Sequence, residues 1–143
     1  MNTAAAAITA KTTVGEVMTT DLITLKLDDT LRLADDLLSL AHVRHFPVLD
    51  SDRLAGIINQ DDLLHASMAS LLRRPKEPPR AALGTVTVKD VMKPATTVTP
   101  DTRIQDAASQ MVEYGIECLL IMDGKKLVGL VTRTDLLREL AKL

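Results

Sequence analysis

Thr132 and Asp135 stand three positions apart at the close of the stretch Gly129-Leu130-Val131-Thr132-Arg133-Thr134-Asp135, directly before Leu136-Leu137. A hydroxyl followed three residues later by a carboxylate, at the start of an apolar helical pattern, satisfies a capping box: the hydroxyl accepts from the first turn and the acid reaches back to the cap. The stretch has an earlier echo in Gly56-Ile57-Ile58-Asn59-Gln60-Asp61-Asp62, followed by Leu63-Leu64, at one offset, since 129 − 56 and 135 − 62 are both 73. Aspartate is a less usual box partner than glutamate, and Asp62 recurs where position 59 holds neither Ser nor Thr. A box alone leaves Asp62 unexplained, which points to contact of both carboxylates with a ligand.

Other reactive side chains offer less. His42 and His45 are three apart, but no third well-spaced ligand accompanies them and His65 belongs to a different element, so a metal site is not expected. Cys118 lies in an apolar run with no cue for an activating base and reads as a small core residue. There is no Gly-rich phosphate loop, no Gly-x-Ser-x-Gly elbow and no Cys-x-x-Cys pair. Catalysis is not the expected function.

Composition narrows the partners. With 143 residues, 46% hydrophobic and 25% charged, the chain has an ordinary globular balance and enough length for one core. A net charge of −2 gives no global pull toward nucleic acid or an anionic membrane. Phe46 and Tyr114 are the only aromatics, which removes the stacking platforms that single-stranded nucleic acid needs. A single cysteine forbids an intrachain disulfide, and Met1 to Lys11 lacks the basic and apolar regions of a signal peptide, so a cytoplasmic protein is expected.

The elements that must carry Asp62 and Asp135 follow from the repeat. The offset of 73 also links Leu31 to Ile104, Ala34 to Ala107, Leu38 to Met111, Val48 to Ile121 and Asp50 to Asp123, while Val17-Met18 matches Val91-Met92 at 74. In the first copy Val14 to Met18 is a helical entry and Leu22 to Leu25 a brief strand. Asp28, Asp29 and Thr30 offer cap oxygens to a helix with apolar positions Leu31, Ala34, Leu38 and Ala41. Phe46 to Leu49 and Leu54 to Ile58 form a hairpin around Asp50-Ser51-Asp52-Arg53, and a helix runs from about Gln60 toward Leu72. In the second copy Asp101-Thr102 should cap a helix over Arg103 to Tyr114, with Gln105 as box partner and Gly115 as its stop. Asp123-Gly124 is a strong hairpin turn, and a last helix runs from Arg133 to about Lys142.

The expected organisation is a flexible tail over 1–13, a first motif over 14–73, a linker over 74–86 and a second motif over 87–143. The linker contains Arg73-Arg74-Pro75-Lys76-Glu77-Pro78-Pro79-Arg80 at and beyond its start, where three prolines forbid a continuous helix. Its basic residues read as a solvated connection, because no basic face surrounds them.

This β-α-β-β-α pattern used twice resembles a tandem pair of cystathionine β-synthase domains, also called a Bateman module. The resemblance is carried by Val-Met near the start of each copy, Phe46-Pro47-Val48-Leu49-Asp50 in the middle and Gly-x-x-Thr-x-x-Asp before the final helix; it spans Val14 to about Leu140. It implies an α+β fold with two motifs packed about a pseudo-twofold axis, leaving clefts that commonly hold adenine-containing ligands. The family's ribose-binding aspartate falls on Asp135 and Asp62 and its hydroxyl on Thr132, followed by Arg133. Base contacts fall around Thr24 and Thr97, and the basic residues before the middle strand match Arg44 and His45, followed by Pro47.

A carboxylate accepts from two ribose hydroxyls at once, and a helix N-terminus offers N–H groups to a phosphate. The first copy carries Asn59 in place of the hydroxyl. The second carries Glu117 and Cys118 where the first has Arg44 and His45, and Leu120 in place of Pro47. One good site per chain is therefore expected, combining Thr132 and Asp135 with Arg44 and His45. The implied role is a stand-alone sensor of AMP, ATP, NAD or S-adenosylmethionine that signals to a separate protein and forms a homodimer through its helices. The other reading is a ligand-free dimerisation or interaction scaffold.

Overall fold

The computed structural model describes residues 11–73, 75, 76, 78, 81 and 83–143. Most of the expected tail, and Arg74, Glu77, Pro79, Arg80 and Ala82 of the expected linker, lie outside the described residues. The elements are α1 (Val14–Val17), β1 (Leu25–Lys26), α2 (Leu31–Ala41), β2 (His45–Asp50), β3 (Arg53–Asn59), α3 (Gln60–Arg73), β4 (Thr97–Val98), α4 (Ile104–Tyr114), β5 (Cys118–Asp123), β6 (Lys126–Thr132) and α5 (Arg133–Ala141). Two three-stranded sheets result, ordered β1-β2-β3 and β4-β5-β6. In each, the short first strand runs parallel to the middle strand, which pairs antiparallel with the third. This is the expected α+β arrangement. No helix among the described residues is long and apolar enough to cross a membrane.

The chain forms two compact units, and they are not the two linear copies. One contains residues 23–95; the other joins residues 1–22 to 96–143. In the second unit the entry segment is tied to the later copy through its backbone. Val14 N–H donates to Thr102 O (2.7 Å), Gly15 N–H to Pro100 O (2.9 Å), Ile104 N–H to Thr12 O (3.1 Å), and Thr19 and Leu130 exchange bonds of 2.9 and 3.0 Å. Val14 is fully buried in the core of Ile104, Ala107, Met111, Leu119, Ile121 and Val131. In the first unit the segment before β4 does the same for the earlier copy: Leu31 N–H donates to Val86 O (3.0 Å), and Ile57 and Lys93 exchange bonds of 2.9 and 3.0 Å. Leu83 and Val88 are buried there beside Phe46, Val48 and Ile58, so the end of the expected linker is core rather than connection.

Helix ends show which cap chemistry prevails. Thr30 caps α2 by accepting from Leu33 N–H (3.3 Å), while Asp29 turns instead to Lys26 N–H (2.7 Å). The box expected from Thr102 and Gln105 is absent. The cap of α4 is Arg103, whose guanidinium has no acceptor to offer, and the first amide of the helix, Ile104 N–H, donates to the carbonyl of Thr12. The expected stops hold: Gly115 closes α4 at φ 63°, and Gly124 forms the β5–β6 turn at φ 62°. In the first copy Ser51 adopts φ 55° at the equivalent turn.

Gly56 and Gly129 are required by close approach. A Cβ on Gly56 would lie 2.7 Å from the carbonyl oxygen of Lys93 and 3.1 Å from Met92 Sδ; on Gly129 it would collide with Met18 Sδ. Each entry methionine therefore lies across the glycine of the third strand, which explains why Val-Met and Gly recur together. Gly56→Ala is expected to cost about 1–3 kcal/mol, as overpacking does. It should cost more than Gly129→Ala, because the backbone carbonyl of Lys93, held by the Ile57 amide, yields less than a thioether. Urea denaturation of both variants checks the order.

Candidate functional site

Both aspartates sit where the third strand runs straight into the following helix. Asn59 ends β3 opposite His45, and Thr132 ends β6 opposite Cys118. Each then serves as the cap of the next helix with no intervening loop. Thr132 Oγ1 accepts from Asp135 N–H (3.2 Å), and Asp135 Oδ2 accepts from Thr132 N–H (2.9 Å). The first copy builds the same pair of bonds with an amide. Asn59 Oδ1 accepts from Asp62 N–H (3.0 Å), and Asp62 Oδ2 accepts from Asn59 N–H (2.8 Å).

This corrects the inference that a box cannot explain Asp62. Asparagine is at least as good a cap as threonine, since its side-chain carbonyl reaches the same amide. Recurrence of the aspartate thus has a structural reason in both copies, and a ligand role must rest on what the boxes leave over.

What they leave is one carboxylate oxygen each. Oδ2 is committed to the cap amide, which fixes the carboxylate plane. Oδ1 of Asp135 faces Arg138 at 3.2 Å, and Oδ1 of Asp62 faces Lys93 at 3.6 Å. The carboxylates are mostly covered, at 13% and 16% exposure, while Arg138 and Lys93 are 69% and 49% exposed. Ion pairs with so exposed a cation contribute about 0–1 kcal/mol, so a polar ligand displaces them at little cost.

The first-turn amides are less available than a bare helix N-terminus suggests. Besides the cap bonds, Arg133 N–H donates to Glu117 O (2.9 Å) and Gln60 N–H to Arg44 O (3.1 Å). In α5 the amides of Thr132, Arg133 and Asp135 are therefore all engaged within the protein. The free N–H groups expected for a phosphate are largely spoken for.

The remaining expected residues divide by placement. Thr24 and Thr97 are exposed, just before β1 and at the start of β4. Arg44 is exposed before β2, while His45 is half-buried with its Nδ1 sealed from solvent. Pro47 is fully buried within β2, beside Phe46 and Val48. Arg133 pairs with Glu117 at 3.0 Å, an exposed ion pair that offsets the carboxylate charge expected to repel a phosphate. Cys118 is half-buried at the head of β5. Among the described residues no group of three or more His, Cys, Asp or Glu is placed to hold a metal ion. Lys93 and Arg138 were absent from the residues singled out by sequence. Lys93 is too far along the chain from Asp62 for any local pattern to join them, whereas Arg138 was visible as a helical i, i+3 partner of Asp135.

Comparison with known proteins agrees with this architecture. The chain is 33% identical over 136 residues to a CBS domain-containing protein of Dictyostelium discoideum, covering 93% of this chain and 94% of that one. It is 31% identical to a 33.4 kDa protein of the ribosomal RNA operon of Thermofilum pendens, covering 91% of this chain but 44% of the relative. Among solved structures it resembles a putative acetoin utilization protein, AcuB, of Vibrio cholerae (28% identity, TM-score 0.75, covering 92% and 91% of the two chains). It equally resembles CBSX2, solved in complex with AMP (28% identity, TM-score 0.74, covering 91% and 96%). The CBS domain model matches at residues 14–69 and again at 84–142, two matches that span most of the described chain, and the protein belongs to the CBS-domain family.

Proposed function

We propose that this chain is a regulatory CBS pair that binds an adenine-containing ligand, AMP foremost, and passes the binding event to a separate protein. The observation that carries the proposal is the arrangement repeated at both strand-to-helix junctions: an aspartate pinned through Oδ2, with Oδ1 facing an exposed cation. A fixed carboxylate oxygen is a ready acceptor for a ribose hydroxyl. The likeness to CBSX2, solved with AMP, supports adenylate as the first ligand to try. In one unit Thr132 and Asp135 take the ribose and Thr97 the base; in the other Asn59 and Asp62 take the ribose, Thr24 the base, and Arg44 is available to a phosphate. One ligand per chain is expected, with Asp135 in the stronger site.

Each unit also leaves apolar helix surface in solvent: Leu40 and Leu72 on α2 and α3, Val112 and Leu137 on α4 and α5. Between α4 and α5 lies a groove of 480 Å³ floored by residues such as Met111, Ile116 and Leu136. Such surface suits a second copy of the chain, and symmetric homodimers are the commonest oligomer.

The test compares thermal shifts with AMP, ATP, NAD and S-adenosylmethionine for wild type and Asp135→Ala. A ligand that binds only the folded state raises Tm. Because the variant also loses one bond of its capping box, the quantity read is the ligand-induced change, not Tm itself. The expected result is a clear shift in the wild type that is lost in the variant. No shift with any ligand favours the scaffold reading, and a monomer in sedimentation at the same concentration removes the dimer.

A further inference from the structure

The two aspartates obtain their cations by different routes. Lys93 comes from the segment bridged to β3 through Ile57; the offset that links Met92 to Met18 places Thr19 opposite it, in the segment bridged to β6. Arg138 comes from helix α5, and the offset that links Asp135 to Asp62 places His65 opposite it on α3. Neither basic residue is inherited by the repeat. Yet in each unit one long cation ends on the same atom, Oδ1 of the aspartate, within 3.2–3.6 Å.

Helix capping does not need these cations, since it uses Oδ2. A ribose does meet them, because Oδ1 is the oxygen left for its hydroxyls. Three of the amides that a helix N-terminus lends to phosphates, those of Thr132, Arg133 and Asp135, are already engaged, which leaves side chains as the main source of a phosphate contact. Glu117 and Arg133 neutralise each other nearby, leaving Arg138 as the cation tethered to the sugar-binding carboxylate in that unit.

Resting on the adenine-ligand reading above, we propose that Arg138 and Lys93 are phosphate-reading residues. Each parks on Oδ1 of its aspartate and transfers to the 5′-phosphate when a ribose hydroxyl takes that oxygen. The exchange keeps the cation paired with an anion, while the carboxylate accepts a hydrogen bond from the hydroxyl in the cation's place. It makes the site select a nucleotide over its nucleoside, since a ligand without phosphate displaces the cation and gives it no new partner.

The test is calorimetric titration of the full chain with AMP and with adenosine, for wild type, Arg138→Ala, Lys93→Ala and the double variant. Both side chains are exposed, and circular dichroism confirms that the variants fold. Loss of a charge-assisted contact predicts AMP binding weakened about 10-fold or more at whichever aspartate is occupied, with adenosine binding unchanged or tightened. Arg138→Lys and Lys93→Arg should restore the preference for AMP. Equal weakening of both ligands overturns the proposal, as does an unchanged double variant. If the wild type binds neither ligand, the adenine-ligand reading falls along with it; if it binds both and the variants do not discriminate, only the phosphate assignment falls.

Discussion

A chain that begins at Ile23 is expected to lose hydrogen-exchange protection in β5 and β6 while β2 and β3 keep theirs. From the linear order of the repeat, removing everything up to Leu22 should instead damage the first copy. The entry segment, however, supplies five backbone hydrogen bonds to the second copy, including one to the first amide of α4, and the buried side chain of Val14. At about 0.5–1.5 kcal/mol per bond and about 1.5–3 kcal/mol for a buried valine, the loss is on the order of 5 kcal/mol, comparable to the whole stability of a small unit. Val14→Asp makes the same point with one residue, because it places a carboxylate in an aliphatic core. Exchange mapped by mass spectrometry reads both. Protection lost in 45–59 rather than 118–132 would refute the assignment.

Phe46→Ala is the complementary lesion. Phe46 is fully buried in β2, the largest such side chain, and packs among Leu25, Leu31, Ala34, Val48 and Ile58. In a core otherwise built from aliphatic residues no neighbour is large enough to fill its volume. The truncation should cost about 3–5 kcal/mol by lost transfer free energy and cavity formation. Urea unfolding followed by exchange should show β2 and β3 opening first, with β5 and β6 retaining their protection. A loss below about 1 kcal/mol would mean that the core relaxes around the gap, contrary to the dense packing of interiors.

The parts of the fold legible from sequence were those whose cause is local. Gly115 and Gly124 marked a helix stop and a hairpin because positive φ favours glycine, and both adopt it. The hairpins appeared at their expected places because alternation and turn chemistry act over a few residues. What escaped was decided by backbone groups that any residue possesses. Nothing about Thr12 or Val86 announces that its carbonyl will take the first amide of a helix, so the exchange of entry segments is not legible in the sequence.

The candidate site shows the same division. Asp62 and Asp135 are legible through their spacing, whereas Asn59 breaks the Thr-x-x-Asp pattern and yet caps as well, because its amide oxygen reaches the same backbone N–H. Lys93 could not be found, since its approach to Asp62 depends on a bridge to Ile57, a pairing between distant parts of the chain.

The exchange of entry segments also sets an order of assembly during synthesis. Residues 23–95 are contiguous and can close on themselves as soon as they emerge from the ribosome. The segment up to Leu22 belongs with a partner that is translated later: Val14 must wait for Thr102 before its amide is paired. Such a distant closure is slow, because loop entropy must be met before the contact rewards it. Until residues 96–143 follow, Val14, Val17 and Met18 wait uncovered, so this short apolar segment needs protection in the nascent protein.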